Sequence, residues 1–360
     1  MRDFGGTVER TPARVLRPRS AAEVADAVRT APTIPVPRGT GHSTQGQSLT
    51  TGASLDLRAV REISVEATGV ASVGAGATWR DVLEATLSRG WMPPVLTDLL
   101  DISVGGSISA GGIGGTSHVH GTQADNVLEL DVVTGDGAIV TCSPERRREL
   151  FDAVRAGQGR HGVIVRAALR LVPAPRRVLA CKLAFGDAEG LLAAQREIRA
   201  DHVSGQAKPL ADGGWRFEAK AVLYDGERPV PGSTDVEELP FLEFADRMRP
   251  DVDELIRLGE WERPHPWEMV LLPGDRAAKL IGGTLAAMGP EDIGLSGLVM
   301  IKALRVGHVP RLRAPAEPVL FSLLRTASPG CRTAGEMRDA NAALLAEAHA
   351  QGGVRYPPEH

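Results

Sequence analysis

Glycine is the residue whose spacing most directly suggests chemistry in this chain of 360 residues. The sequence holds 41 glycines, with dense clusters at 39–46, 74–76, 105–115 and 157–162. An isolated pair would indicate only turns, because glycine adopts positive φ readily. Several clusters in one region indicate more, since backbone without Cβ approaches a diphosphate closely and successive N–H groups form an anion-binding nest. We therefore interpret the clusters as a candidate dinucleotide site.

The fingerprints of the common nucleotide folds are not met. The complete G-x-G-x-x-G pattern, Gly157-Gln-Gly-Arg-His-Gly162, follows a predicted helix and precedes a predicted strand. A nicotinamide-type Rossmann site needs the reverse order, in which the loop leads into a helix N-terminus. The sequence also lacks the P-loop pattern G-x-x-x-x-G-K-[ST]. A dinucleotide site of another fold remains.

Histidine and cysteine spacing predicts no bound metal. His118 and His120 lie two residues apart without a third ligand nearby in the sequence, so we interpret them as structural. Cys142, Cys181 and Cys331 are odd in number and far apart, which fits neither a zinc site nor a disulfide framework. We place Cys142 in the core.

Composition excludes several classes of protein. The apolar fraction of 42% is too high for a disordered chain. No apolar run reaches the roughly 18 residues of a membrane span. A net charge of −4 and an aromatic content of 4% argue against nucleic acid as a partner. The N-terminus shows no secretory signal, so we expect a cytoplasmic protein that binds no membrane.

Short strands, glycine turns and short helices alternate in the first half of the chain. This order predicts an α+β fold rather than a doubly wound sheet. The predicted elements are a helix capped at Ser20, a strand over 53–57, a helix from Thr78 to Leu87, a hairpin over 126–142, a helix over 145–154 and a strand over 162–172.

The pattern changes after Arg176. Residues 206–234 hold several glycines and prolines with weak periodicity, which predicts an irregular part of a smaller second domain. Residues 334–351 predict one amphipathic helix, ending at a glycine pair. We predict a first domain over 1–175, a second over 176–330 and a C-terminal segment over 331–360.

Several motifs occur together and in order along the chain. They are Pro37-Arg-Gly-Thr-Gly-His-Ser-Thr-Gln-Gly-Gln47, Leu96-Thr-Asp98, Ser103-Val-Gly-Gly-Ser-Ile-Ser-Ala-Gly-Gly-Ile113, Asn126-Val-Leu-Glu-Leu-Asp-Val-Val-Thr-Gly-Asp-Gly137, Leu150-Phe-Asp-Ala-Val154, Gly162-Val-Ile-Val-Arg166, Leu239-Pro-Phe-Leu-Glu-Phe-Ala-Asp-Arg247 and Glu260-Trp-Glu-Arg-Pro-His-Pro-Trp267. Together they resemble the cytokinin dehydrogenase group of the vanillyl-alcohol oxidase (PCMH-type) flavoprotein superfamily. The resemblance covers nearly the whole chain.

The resemblance implies a PCMH-type FAD-binding domain of two α/β subdomains, followed by a smaller, reduced α+β substrate or cap domain. It implies that the loop formed by Pro37, Arg38, Gly39, Thr40, Gly41, His42 and Ser43 wraps the FAD diphosphate. It also implies a covalent bond between His42 and the flavin 8α carbon. Further flavin contacts are implied for Gln47, Ser103, Ser109, Ile113 and Val163.

Asp98 is the carboxylate to which the resemblance assigns catalysis. It would lie over the flavin and accept a proton or hydrogen bond from the substrate nitrogen, which makes hydride leave more readily. If Leu96, Leu99 and Leu100 bury it, its pKa would rise toward that of a base.

Two departures from the family pattern bear on activity. The family's substrate-binding Glu would stand in Asp201-His-Val-Ser-Gly205, where this chain has Ser204, and a hydroxyl cannot replace a charge-assisted bond. Glu218 lies near in sequence but is not assigned that role. The resemblance also implies a C-terminal segment with a Pro-Gly-Gln motif that this sequence lacks. We expect a more open flavin site, a partner chain that completes it, or weak flavin binding.

Two functions follow from the residues and the resemblance. One is an FAD-dependent oxidase or dehydrogenase that removes hydride from a C–H next to nitrogen or oxygen. Its small-molecule substrate would be a cytokinin-like N6-substituted adenine or a secondary-metabolite amine, with oxygen or another molecule as electron acceptor. The alternative is a flavin-binding protein without turnover, suggested by Ser204 and the missing segment.

Overall fold

The computed structural model describes residues 1–210 and 213–358. Residues 211–212 of the predicted second domain and 359–360 of the predicted C-terminal segment lie outside the described residues. The strands, in chain order, are β1 Arg14–Leu16, β2 Val36–Arg38, β3 Ala53–Asp56, β4 Ile63–Val65, β5 Val70–Gly74, β6 Trp91–Met92, β7 Val127–Val133, β8 Ile139–Cys142, β9 Val163–Arg170, β10 Val172–Pro173, β11 Arg177–Phe185, β12 His202–Pro209, β13 Trp215–Tyr224, β14 Asp235–Pro240, β15 Glu268–Leu272, β16 Leu298–Ala303, β17 Val319–Leu324 and β18 Val354–Arg355. The α-helices are α1 Ala21–Thr30, α2 Trp79–Leu87, α3 Val104–Ala110, α4 Ser117–His120, α5 Arg148–Val154, α6 Ala188–Glu197, α7 Phe241–Ala245, α8 Arg249–Arg257, α9 Gly274–Ala286 and α10 Ala334–Ala350.

The chain divides into two structural units. The first comprises residues 1–114, 122–174 and 307–312, and the second comprises 115–121, 175–306 and 313–360. This differs from the predicted three-part division, because the C-terminal segment lies within the second unit. There β18 pairs with β15, and α10 packs against β15 and β18.

The first unit contains two main sheets. β1, β3 and β2 form a parallel sheet, and β4, β5, β9, β7 and β8 form a sheet of antiparallel pairs in that order. A buried cluster joins α1 to β3 and β9 through Val24, Val28, Leu55, Val163 and Val165. Both sheets therefore share apolar contacts with the same helix.

Local sequence signals place most elements of the first unit correctly. The Ser20 hydroxyl accepts the N–H of Glu23 and starts α1. Thr78 and Asp81 form a capping box that starts α2. The hairpin of β7 and β8 is confirmed, but α5 begins at Arg148, later than predicted, because the residues before it form a turn.

The second unit is built on an eight-stranded sheet with the order β14, β11, β13, β12, β16, β17, β15 and β18, in which every pairing is antiparallel. Helices α6, α9 and α10 contribute apolar side chains to the cluster that covers one face of this sheet. Because this unit carries the largest sheet and the C-terminal residues, it is not the smaller of the two.

The prediction of irregular structure over 206–234 is wrong for its first part. β12 and β13 pair there, with Ala207 opposite Phe217 and Gly205 opposite Ala219. The inward positions, such as Gly205, Ala207 and Phe217, are small or aromatic, and most outward ones are polar or charged. The period of two is therefore present but weak in hydropathy.

A mixture of helices and strands runs through both units, as an α+β fold requires. Among the described residues, no helix is both long and apolar enough to cross a bilayer.

Candidate functional site

The loop of residues 37–48, here called the His42 loop, begins within strand β2. Gly41 has a φ of +85°, and a Cβ at this position would collide with the Arg38 guanidinium. The positive φ is what favours glycine here, because the end of the Arg38 side chain could shift to make room for a Cβ. Each residue from Val36 to Ser43 is partly exposed, whereas Thr44 is buried, so the first half of the loop is accessible.

Gly39 brings the His42 loop against helix α3. A Cβ on Gly39 would overlap the hydroxyl of Ser103, the residue that precedes α3. Ser103 is 3% exposed, and its hydroxyl makes no capping bond to the helix. The structure thus places two of the predicted cofactor contacts next to each other through an approach that only glycine allows.

Residues 156–159 lie beside both of these segments. The N–H of Gln158 donates to the carbonyl of Ser109 over 3.0 Å. A Cβ on Gly159 would lie 2.9 Å from Cγ of Pro37. The G-x-G-x-x-G stretch, which is not a Rossmann loop, therefore packs near the His42 loop and the end of α3.

Asp98 lies in an irregular segment, residues 95–102, which precedes α3 in the chain and lies beside Gly114, a residue that follows α3. Gly114 approaches this segment so closely that a Cβ would overlap the carbonyl of Leu96. Asp98 is partly exposed, and of the three surrounding leucines only Leu100 is buried. The deep burial expected for this carboxylate is therefore not observed.

Arg38 and Gln47 make bonds that hold the loop itself. The Arg38 guanidinium donates to the carbonyl of Arg2 over 2.8 Å and to the Ser48 hydroxyl over 3.1 Å. Burial lowers the pKa of Arg38. The Gln47 amide oxygen accepts the N–H of Gln45 over 2.9 Å. These described bonds stabilise the loop conformation.

The remaining predicted contacts differ in exposure. The Val163 side chain is 2% exposed and belongs to the cluster around α1, and Ile113 is 8% exposed. Thr40 and Ser109 are partly exposed. Cys142 is fully buried, as predicted, and burial raises the pKa of its thiol to about 11.

Sequence reasoning missed the first residues of the chain. Residues 2–6, here called the N-terminal strap, pack on the His42 loop. The Asp3 carboxylate accepts the Ser43 hydroxyl over 3.1 Å, and the Phe4 ring lies 4.9 Å from the His42 ring, centroid to centroid. Asp-Phe-Gly-Gly at 3–6 reads as an ordinary turn, and nothing in its pattern indicates a partner so far along the chain.

The residues of the first unit fit a flavin dinucleotide in their chemistry. Backbone N–H groups on a glycine loop, with the hydroxyl of Thr40, are donors of the kind a diphosphate needs, whereas the Ser43 hydroxyl donates to Asp3. Gly39 and Gly41 carry no side chain of their own, although the Ser103 and Arg38 side chains lie close against them, and His42 supplies a partly exposed imidazole next to Ser43. The donor set therefore suits FAD.

The second unit has a serine where the resemblance would put a carboxylate. Ser204 on β12 pairs with Lys220 on β13 and is partly exposed. Glu218 forms ion pairs with Lys208 over 2.9 Å and with Arg216 over 2.7 Å. Burial alone would raise the pKa of Glu218, but the two cations lower it overall. Glu218 is thus engaged and does not substitute for the missing carboxylate.

A buried polar cluster, here called the His265 cluster, lies elsewhere in the second unit. His265 is 3% exposed, with Nδ1 3.1 Å from the Thr326 hydroxyl and Nε2 3.1 Å from the Trp261 carbonyl. Glu260, also 3% exposed, accepts the Ser328 hydroxyl over 2.6 Å. Burial lowers the pKa of His265, so its ring stays neutral at neutral pH.

Comparison with known proteins supports an FAD site in the first unit. Residues 12–143 match the family model described as an FAD binding domain. An uncharacterized oxidoreductase of the fasciation locus of Rhodococcoides fascians is 36% identical, over 98% of this chain and 86% of that protein.

Plant proteins are similar to this chain over about two thirds of their own length. Cytokinin dehydrogenase 7 of Oryza sativa subsp. japonica is 35% identical, over 81% of this chain and 68% of that protein. Cytokinin dehydrogenase 4 of Arabidopsis thaliana is 33% identical, over 83% of this chain and 70% of that protein.

Proposed function

This chain belongs to the cytokinin dehydrogenase-like family of FAD-linked oxidoreductases, and from that premise we propose that it takes hydride from a C–H next to nitrogen or oxygen in a small molecule. The names of its plant relatives suggest an N6-substituted adenine or a related amine as substrate. FAD, when bound, accepts the hydride and passes the electrons to oxygen or another acceptor.

The proposal rests chiefly on the His42 loop. Its glycines fix the backbone against Ser103, and its imidazole is accessible at the centre of a loop whose donors suit a diphosphate. We infer that residues 37–43 hold the FAD diphosphate and that His42 bonds covalently to the flavin. Ser103, Ser109, Ile113 and Val163 complete the flavin site in this proposal, the last through its backbone because its side chain is in the core.

Asp98 is the residue we assign to the substrate. A partly exposed carboxylate can accept a hydrogen bond or a proton from a substrate nitrogen. Electron density on that nitrogen then rises, and the adjacent C–H gives up hydride more readily.

A second candidate function is flavin binding without turnover. The observation in its favour is Ser204, which stands where the resemblance implies a carboxylate. The carboxylate that β12 and β13 do carry, Glu218, is held by Lys208 and Arg216. A substrate that needs a carboxylate at position 204 would bind weakly.

Anaerobic mixing tests both candidates. The purified holoenzyme is mixed with a panel of N6-substituted adenines and secondary amines, and loss of flavin absorbance near 450 nm is followed. We expect bleaching with at least one member. An intact flavin spectrum that no member bleaches would favour binding without turnover.

A further inference from the structure

The N-terminal strap makes hydrogen bonds to both ends of the segment that follows His42. The Asp3 carboxylate accepts the N–H of Gly46 over 2.7 Å and the hydroxyl of Ser43 over 3.1 Å. It also accepts the N–H of Gly6 over 3.3 Å, within the strap. Asp3 is 6% exposed, and burial raises its pKa, so these donors only partly replace the lost water.

The strap also fixes the backbone on both sides of His42. The N–H of Phe4 donates to the carbonyl of Gly41 over 2.9 Å, and the N–H of Gly5 donates to the carbonyl of Ser43 over 3.2 Å. In a trans peptide the carbonyl and the following N–H point in opposite directions. The N–H groups of His42 and of the residue after Ser43 are therefore directed away from the strap.

Side-chain packing adds to this backbone pairing. The Phe4 and His42 rings lie 4.9 Å apart with a 32° angle between their planes. Gly5 is so close to Thr44 that a Cβ on Gly5 would overlap the carbonyl of Thr44. The imidazole thus has the strap on one side, in an arrangement held by one buried carboxylate and one aromatic ring.

We propose that Asp3 is a positioning residue for the attachment of FAD to His42, an inference that rests on the proposed function. Through Ser43 and Gly46 it holds the loop in one conformation, and with Phe4 it keeps the imidazole in the orientation that attachment needs. Asp3 acts through the loop and does not touch the reacting atoms.

The attachment step balances with oxygen as the oxidant. The imidazole nitrogen and the flavin 8α methyl carbon each give up one hydrogen, and a C–N bond forms between them. The two electrons pass through the flavin to dioxygen, which is reduced to hydrogen peroxide. The reaction needs no other reagent, so its rate reports how well the imidazole is placed.

The test measures attachment rather than turnover. The full chain is produced in riboflavin-starved cells, FAD is added to the purified protein in air, and flavin that precipitates with the protein in acid is followed with time. Asp3→Asn should bind FAD but attach it about tenfold to a hundredfold more slowly than the unsubstituted chain.

Asp125→Asn is the matched control in the same unit. The Asp125 carboxylate likewise accepts a hydroxyl and a backbone N–H from Thr122, each over 2.8 Å, and the N–H of His308 over 2.7 Å. Loss of the Asp125 carboxylate should lower the melting temperature and leave the rate of FAD attachment unchanged.

The outcomes separate this proposal from the proposed function. If the unsubstituted chain forms no acid-stable flavin, covalent binding itself is wrong. If it does and Asp3→Asn attaches FAD at the same rate, or if Asp125→Asn slows attachment equally, only the role of Asp3 is wrong. If Asp3→Asn does not fold, Phe4→Leu decides, and an unchanged rate in that variant contradicts the proposal.

Discussion

The His42 loop and the His265 cluster show two ways of placing a histidine. His42 is partly exposed and sits on a loop whose conformation is fixed by glycine close approaches and by backbone bonds to the strap. His265 is buried, and each of its ring nitrogens lies within hydrogen-bond distance of a named oxygen. In the first region the backbone is held and the ring stays accessible. In the second the ring itself is part of the packing.

The difference bears on the role that we propose for His42. A ring that must react has to be positioned by something other than its own reacting atoms, and a fixed backbone serves that purpose. A ring that stabilises a core gives its nitrogens to neighbours. The predictions below change one residue at a time, in these regions or elsewhere in the same units, in order of decreasing effect.

Gly39→Val should have the largest effect, because the new side chain would occupy the space of the Ser103 hydroxyl. The His42 loop would have to move from α3, and we expect loss of most bound flavin with about 1–3 kcal/mol of destabilisation. The ratio of flavin to protein absorbance and urea unfolding would measure both. A variant with full flavin content would show that this close approach is not needed.

Asp98→Asn should slow the chemical step and leave flavin bound. The amide cannot take a proton, so we expect flavin reduction by a substrate to fall by about a hundredfold or more. Rapid mixing without oxygen measures the rate, and the flavin spectrum before mixing is the control. Equal reduction rates would remove Asp98 from the mechanism.

His265→Gln should change the pH dependence of stability. Burial lowers the pKa of His265 from its unfolded value of 6.5, so as the pH falls below 6.5 the unfolded chain takes up the proton first. The stability contributed by this residue is present above pH 6.5 and lost below it. The free energy of unfolding should therefore fall less between pH 8 and pH 5 in the variant, and an equal fall would contradict this assignment.

Gly283→Ala should have the smallest effect and the opposite sign. Gly283 lies inside α9, and a Cβ there would meet nothing within 4 Å. We expect a gain of about 0.5–1 kcal/mol, because alanine loses less backbone entropy in a helix. Thermal unfolding measures the gain, and a loss of stability would mean that Gly283 is constrained by its surroundings, as Gly39 is.

The sequence predicted the elements that carry local signals. Ser20 and Thr78 cap helices because their hydroxyls accept N–H groups three residues on, and such pairs are visible in the sequence. Strands β12 and β13 were missed because alternating alanines and charges give a weak hydropathy pattern. The helix α5 was predicted too long because a turn before Arg148 uses residues that also suit a helix.

The candidate site could be predicted only where one segment carries it. The His42 loop is a continuous motif, so its glycines and histidine can be identified from the sequence alone. Asp3 and Phe4 were not, because their role depends on a contact between distant parts of the chain. The close approach of Gly39 to Ser103 is likewise a tertiary contact, which the spacing of residues in the sequence does not reveal.

The most direct test of covalent attachment is the mass of one peptide. Trypsin should release residues 39–58, between Arg38 and Arg58, and His42 is the single histidine in that peptide. We predict that the denatured, purified protein yields this peptide heavier by one FAD less two hydrogens, with the addition located on His42. Recovery of this peptide only in unmodified form, from protein that still carries flavin, would contradict the account.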